Sequence, residues 1–105
     1  MPYTLGFIDP VDLAQHFEDH GHEFGADTEE EYEMLADAFL GGSPDSNTHE
    51  CVRKRDGARL RYNRVTDEFG VLTASGEILT YFRPDPRIHK WPTNWDYFQS
   101  ECQRT

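Results

Sequence analysis

His16, His20 and His22 fall within one short stretch of this chain, with Glu18, Asp19 and Glu23 interleaved. Two chemistries suit that set. At i and i+4, His16 and His20 share a helix face, a spacing that can hold zinc, with His22, Glu23 and His49 as further ligands. The pair lacks the glutamate after the first histidine that a metalloprotease uses, because Phe17 stands there. As ligands they compete with a simpler reading, a packed or solvated pair. The second chemistry is acid–base catalysis, since an imidazole with a pKa of about 6.5 accepts and returns a proton near neutrality. Cutting RNA without a metal takes a base for the 2′-OH, an acid for the leaving oxygen, and cations around the phosphorane. Cations are concentrated in one place, where Arg53, Lys54, Arg55, Arg59, Arg61 and Arg64 stand against Asp56 alone. The forks of Arg53, Arg59 and Arg61 match phosphate oxygens. The same stripe also reads as the solvated outer face of a sheet.

The elements that would position these residues follow from periodicity. Asp9-Pro10 predicts a helix start, an N-cap acid with proline in the first turn. Val11, Leu13, Ala14 and Phe17 recur at helical spacing, and Gly21 is expected to end the helix in a left-handed turn. His20 then lies in the last helical turn, near the apolar face. Thr28 with Glu31 has capping-box spacing and opens a second helix with Glu29 and Glu30. Its expected buried stripe is Tyr32, Leu35, Ala36 and Phe39, and Gly41-Gly42 ends it. Ser43 to Thr48 reads as a loop.

The period then switches to two. Strands are expected at 51–55, 58–63, 68–73 and 77–83, with turns at Asp56-Gly57, at 64–67 and at Ser75-Gly76. Leu60 and Tyr62 face one way, and Arg59, Arg61 and Asn63 the other. Ile78, Thr80 and Phe82 are expected on one face of the last strand, opposite Tyr81. Short links favour an antiparallel meander. Pro84, Pro86 and Pro92 end regular pairing. Beyond them, 94–99 forms a short helix, or Trp91, Trp95, Tyr97 and Phe98 clamp across the sheet. The fold class is therefore α+β, two N-terminal helices packed on a four-stranded antiparallel meander, in a single domain over 1–105.

Composition bounds the rest. The 105 residues are 36% apolar and 13% aromatic, enough for one core. No apolar run approaches a membrane span, and the N-terminus lacks the basic start and apolar run of a signal peptide. Cys51 and Cys102 are too few and too distant for a disulfide framework or zinc knuckle, and read as reduced thiols in a cytoplasmic protein. Net charge is −10, against a nucleic-acid binder at first sight. The distribution is uneven: residues 1–50 hold 13 acids and no Lys or Arg, whereas residues 51–105 hold 10 cations and 7 acids. A local basic stripe can hold a polyanion that the whole molecule does not attract from afar.

The stretch His20-Gly21-His22-Glu23-Phe24-Gly25 resembles the His-x-x-acid-Phe-Gly segment closing the first helix of colicin D-like tRNase domains. The likeness continues from Arg53 to Arg83, through Asp56-Gly57, Tyr62-Asn63, Thr66 and Gly76-Glu77 to Leu79-Thr80-x-Phe82. The wider group is the barnase, EndoU and colicin ribonucleases, with helices ahead of an antiparallel sheet. The resemblance implies a metal-independent toxin that cleaves tRNA in its anticodon loop to a 2′,3′-cyclic phosphate. It places the catalytic histidine at His20, a hydroxyl on the last strand at Thr80, and an aromatic at Phe82. It calls for no cofactor and no membrane, and implies a neutralising inhibitor, an immunity or antitoxin protein. Where the family has a basic residue before the histidine, Phe17 stands here.

With that match, His20, Thr80 and Arg61 form the candidate catalytic set, and Arg53, Arg59, Asn63 and Phe82 the candidate RNA contacts. At most one of Tyr81 and Phe82 stacks on a base, because they face opposite ways. A nuclease predicts convergence of His20, Thr80 and a sheet arginine on one cleft. A metal site predicts His16 and His20 turned together with a third ligand. The alternative to both is a non-catalytic protein-interaction module using the acidic helical face of Glu29, Glu30, Glu31, Glu33 and Asp37.

Overall fold

The computed structural model describes residues 2–104, and its helices and strands follow the order just derived. Helix α1 spans Pro10–His20 and α2 spans Glu29–Gly41. Strands β1 (Thr48–Val52), β2 (Arg59–Asn63), β3 (Phe69–Leu72) and β4 (Ile78–Phe82) form one sheet in the order β1-β2-β3-β4, every pair antiparallel. A single helical turn, α3 (Pro86–His89), and helix α4 (Asn94–Cys102) complete the chain. The α+β architecture is the expected one, with the two N-terminal helices packed on the meander.

Local chemistry sets the ends of α1 and α2. Asp9 accepts from the Asp12 N–H at 2.8 Å, and Thr28 Oγ1 accepts from the Glu31 N–H at 3.1 Å. Gly21 does not stop the first helix in a left-handed turn. It stays right-handed at φ −54°, and the chain tightens into a 3-10 turn over Gly21–Phe24. Gly25, at φ 66°, makes the left-handed stop. Gly21 is needed for a different reason: a Cβ there would lie 2.7 Å from the Phe17 ring. That extra turn carries Glu23 round to meet His20.

Two apolar clusters lie on opposite faces of the sheet. On the helix side, Phe7, Tyr32, Ala36, Leu40, Leu72, Ile78 and Tyr81 are buried together. On the other side, Phe98 of α4 closes over Ala58, Leu60, Tyr62, Phe69 and Val71. The C-terminal segment therefore forms the helix and also places Trp95, Tyr97 and Phe98 against Tyr62 and Phe69 of the sheet, whereas Trp91 of the expected clamp stays exposed. In α2 the buried stripe is Tyr32, Ala36, Asp37 and Leu40, and Leu35 is 41% exposed rather than buried. The phase differs because α2 also receives the N-terminal segment. Buried Asp37 accepts from Thr4 N and Oγ1 at 2.8 and 2.6 Å, and Glu33 accepts from the Phe7 N–H at 3.0 Å. Those bonds hold residues 5–8 alongside β4, where Phe7 and Ile78 make a parallel bridge.

The last strand also departs from simple alternation. Leu72 pairs with Ile78 and Val71 with Thr80, so one extra residue bulges from β4. Ile78 and Tyr81 consequently both face the α1–α2 layer, whereas Phe82 packs on the α4 side. Thr80, opposite Val71, is on the Phe82 side.

Cys51 and Cys102 are bonded to each other rather than reduced. They are 51 residues apart in sequence, but α4 folds back over the sheet and brings the two Cα atoms within 6.1 Å. Separation along the chain was the wrong measure of their distance. No helix among the described residues is long and apolar enough to cross a membrane.

Candidate functional site

A cleft of about 820 Å³ opens where the end of α1, the 3-10 turn, the end of β4 and the α3–α4 segment meet. His20, His22 and Glu23 line it from the end of α1 and the 3-10 turn, Phe82 and Arg83 from the end of β4, and Arg87, His89, Asn94 and Tyr97 from the α3–α4 segment. The volume is that of an ordinary small-ligand site.

His20 is oriented by its neighbours. Its Nδ1 lies 2.7 Å from Glu23 Oε2, and an ionised carboxylate only accepts, so Nδ1–H is the donor. Nε2 is left as the ring nitrogen able to exchange a proton with a ligand. The other Glu23 oxygen accepts from the Arg83 N–H at 2.7 Å, tying the end of α1 to the end of β4 through one carboxylate. The imidazole also stacks on Phe82, with ring centroids 5.1 Å apart. Its orientation is thus set by a hydrogen bond on one edge and an aromatic face beneath, the way a catalytic base is held.

The structure brings only part of the expected set together. His20 and Phe82 share the cleft. Thr80 is on the same strand face as Phe82 but is not part of the described cleft lining. Arg61 is elsewhere, beneath the C-terminal end of α2. It is 6% exposed, with Nε 2.5 Å from Glu50 Oε1 and Nη1 donating to the Phe39 and Gly42 carbonyls at 3.0 and 2.7 Å. Its donors satisfy carbonyls at a helix end, where a cation is also favoured by the dipole.

Arg53 is buried in the β1–β2 connection and grips Asp56 through two bonds of 3.1 and 2.8 Å. Asn63 is 4% exposed, donating to Asp45 and Thr48 and accepting from the Val65 and Thr66 N–H groups, so it shapes the β2–β3 turn. Arg59 is half exposed and lines a separate hollow with Val52, Gly57 and Leu72. The expected convergence of His20, Thr80 and a sheet arginine is therefore not formed: Arg53 and Arg61 are buried in structural contacts, and Lys54, Arg55, Arg59 and Arg64 are exposed away from the cleft lining.

The cations that do reach the cleft are Arg83 and Arg87, just after β4. Arg83 lies over the Phe24 ring, 5.1 Å from its centroid. Arg87 is almost wholly exposed and paired with Asp85 at 2.8 Å. None of Arg83, Arg87, His89 and Tyr97 was expected at the site: Arg83 was expected only at the end of the last strand and Tyr97 only in an aromatic clamp, and three prolines marked the segment as the end of the sheet. The available signal was that this rigid stretch begins immediately after Phe82, which the resemblance already placed at the site.

His16 and His20 stack with centroids 6.1 Å apart rather than converging on a common point. Burial against Phe7 holds the His16 pKa below its ordinary value, with Asp12 opposing the shift and His20 adding to it. Among the described residues no group of three or more His, Cys, Asp and Glu side chains is placed to hold a metal ion.

Compared with known protein families and with curated proteins, the chain matches none. The likeness to colicin D-like domains thus rests on the motif residues alone.

Proposed function

We propose that this chain is a metal-independent endoribonuclease domain of colicin D type, a toxin that cuts tRNA in its anticodon loop by acid–base catalysis at His20. The observation that carries the proposal is the His20–Glu23 pair at the edge of an open cleft, with Nε2 directed away from the carboxylate. In this reading Nε2 takes the proton of a ribose 2′-OH, and the 2′-oxygen attacks the adjacent phosphorus. The P–O5′ bond breaks, leaving a 2′,3′-cyclic phosphate and a 5′-hydroxyl. The exposed His22, on the same side of the cleft, supplies the leaving oxygen's proton, and Arg83 and Arg87 meet the phosphate oxygens in the part first assigned to Arg61. The nucleophile is internal to RNA, so the reaction needs no cofactor.

RNA places the site of action in the cytoplasm. The Cys51–Cys102 bond supports a toxin that is oxidised before it acts there and is delivered from outside. A nuclease of this kind requires a neutralising inhibitor in its producer. The test is incubation of the purified protein and its His20→Ala variant with total tRNA in EDTA, followed by denaturing electrophoresis. Discrete fragments from the wild type alone support the proposal, and intact tRNA with folded protein in both lanes overturns it.

A second reading has its own observation. Met34 and Leu35 are 62% and 41% exposed on α2, which also exposes Glu29, Glu30 and Glu31, although Asp37 of the expected acidic face is buried against Thr4. An apolar–acidic surface suits a basic protein partner, and a non-catalytic interaction module would use it without His20.

A further inference from the structure

Four aromatic rings run through the cleft in unbroken contact. His20 stacks on Phe82 at 5.1 Å, Phe82 meets the edge of Tyr97 at 6.4 Å and 68°, and Tyr97 stacks on His89 at 4.6 Å and 19°. All four line the cleft and all four are half-buried, so each presents part of its surface to the opening. The first two belong to the elements that carry the proposed chemistry. The other two come from the C-terminal segment, beyond the residues of the family likeness.

His89 has no ring nitrogen to spare. The Trp91 N–H donates to its Nδ1 at 3.1 Å, and its Nε2–H donates to Asn94 Oδ1 at 2.9 Å. With both nitrogens engaged, the ring has its outer face to offer. Tyr97 is a neutral phenol at any working pH, its pKa pushed up to about 12, chiefly by burial and then by Glu101. The wall is held firmly: Pro84, Pro86 and Pro92 stiffen the approach to α4, and the Cys51–Cys102 bond pins its last residue to β1. Around these rings the cleft carries Asp19, Glu23, Asp67 and Asp85 as well as Arg83 and Arg87. Such a lining disfavours phosphate beside the four carboxylates and accepts it at the two arginines.

We propose that the His89–Tyr97 wall is a nucleobase-stacking subsite that takes one unpaired base of an RNA beside the bond on which His20 acts. The inference rests on the nuclease reading and deepens it by naming the residues that hold an unpaired loop nucleotide beside the bond that is cut. Only an unpaired base can turn its face to the rings while its phosphates stay with Arg83 and Arg87.

The test uses a labelled 2′-O-methyl RNA heptamer, which has no 2′-OH to attack and so reports binding without cleavage. Fluorescence anisotropy is expected to show the single strand bound at least ten-fold more tightly than the same sequence in a duplex. The Tyr97→Leu and His89→Leu variants should each bind it roughly ten-fold more weakly, the effect of one lost base stack. Should either variant misfold, NMR of the wild type substitutes, with the ring resonances of both residues shifting on titration with the heptamer. Equal affinity for strand and duplex, unchanged affinity in folded variants, or unmoved ring resonances overturns the subsite. The nuclease reading is judged separately, on unmodified RNA. Cleavage with unaltered KM and base preference in Tyr97→Leu sinks the subsite alone. Tyr97-dependent binding of the heptamer without any RNA cleavage sinks the nuclease alone.

Discussion

Removing the Cys51–Cys102 bond should be the most damaging change to this protein outside its core. The bond closes a loop of 51 residues, about half the chain, and runs from β1 to the last turn of α4. Closing a loop of that length withdraws about 14 cal/mol/K of entropy from the unfolded chain, about 4 kcal/mol at room temperature. A chain of 105 residues unfolds with an entropy of about 220 cal/mol/K, so that loss lowers the melting temperature by about 15–20 °C. Phe98 is buried over Leu60 and Tyr62 by apolar contacts that do not involve the sulfurs, so the native contacts of α4 are expected to change this figure little. The assay is thermal unfolding by circular dichroism, comparing oxidised wild type, wild type in phosphine reductant, and Cys51→Ser/Cys102→Ser. The two unbonded forms should melt together, far below the oxidised one, and amides of α4 should exchange faster in both. A shift under about 4 °C, or two free thiols titrating in protein purified without reductant, would refute the reasoning.

Three further outcomes are expected. Arg61→Ala leaves the Phe39 and Gly42 carbonyls unpartnered and should cost about 3 kcal/mol in urea unfolding, with activity per folded molecule unchanged. A fall in kcat at full stability would restore Arg61 to the site. The Asp56 carboxyl is pulled down to about 2, first by the Arg53 hydrogen bond and then by the Ala58 N–H. The unfolded chain protonates near 3.8, so this stabilisation is whole above that pH and disappears as pH falls through about 2. Carbon-13 titration of Asp56 should show the low midpoint, and Arg53→Gln should raise it. His16 behaves in the opposite chemical sense with the same direction of loss. Its depressed pKa means the unfolded chain takes the proton first, so stability should decline as pH falls below about 6.5, until the folded histidine also protonates. His16→Gln should flatten that slope between neutral and mildly acidic melts, and an unchanged slope would place its origin elsewhere.

What the sequence by itself determined was local. Asp9-Pro10 and Thr28 open helices because capping is decided within three or four residues, and both caps form as expected. Alternation of Leu60 and Tyr62 against Arg61 gives β2 its two faces, and short links give the meander. His20 falls in the last turn of α1 for the same reason. Its meeting with Phe82 was anticipated only through the family likeness.

Tertiary structure decided everything that depends on which distant groups meet. Arg61 is a phosphate fork by residue type, but α2 ends over it and occupies its donors. The bulge in β4 turns Ile78 and Phe82 to opposite faces, a choice that no period-two pattern contains. Glu23 reaches both His20 and β4 because an extra 3-10 turn follows α1. Cys51 and Cys102, and the wall of His89 and Tyr97 across from His20, become neighbours only when α4 folds back over the sheet. Turns and caps are set by a few adjacent dihedrals. A cleft is set by where whole elements dock, and that is fixed by burial summed over the entire core.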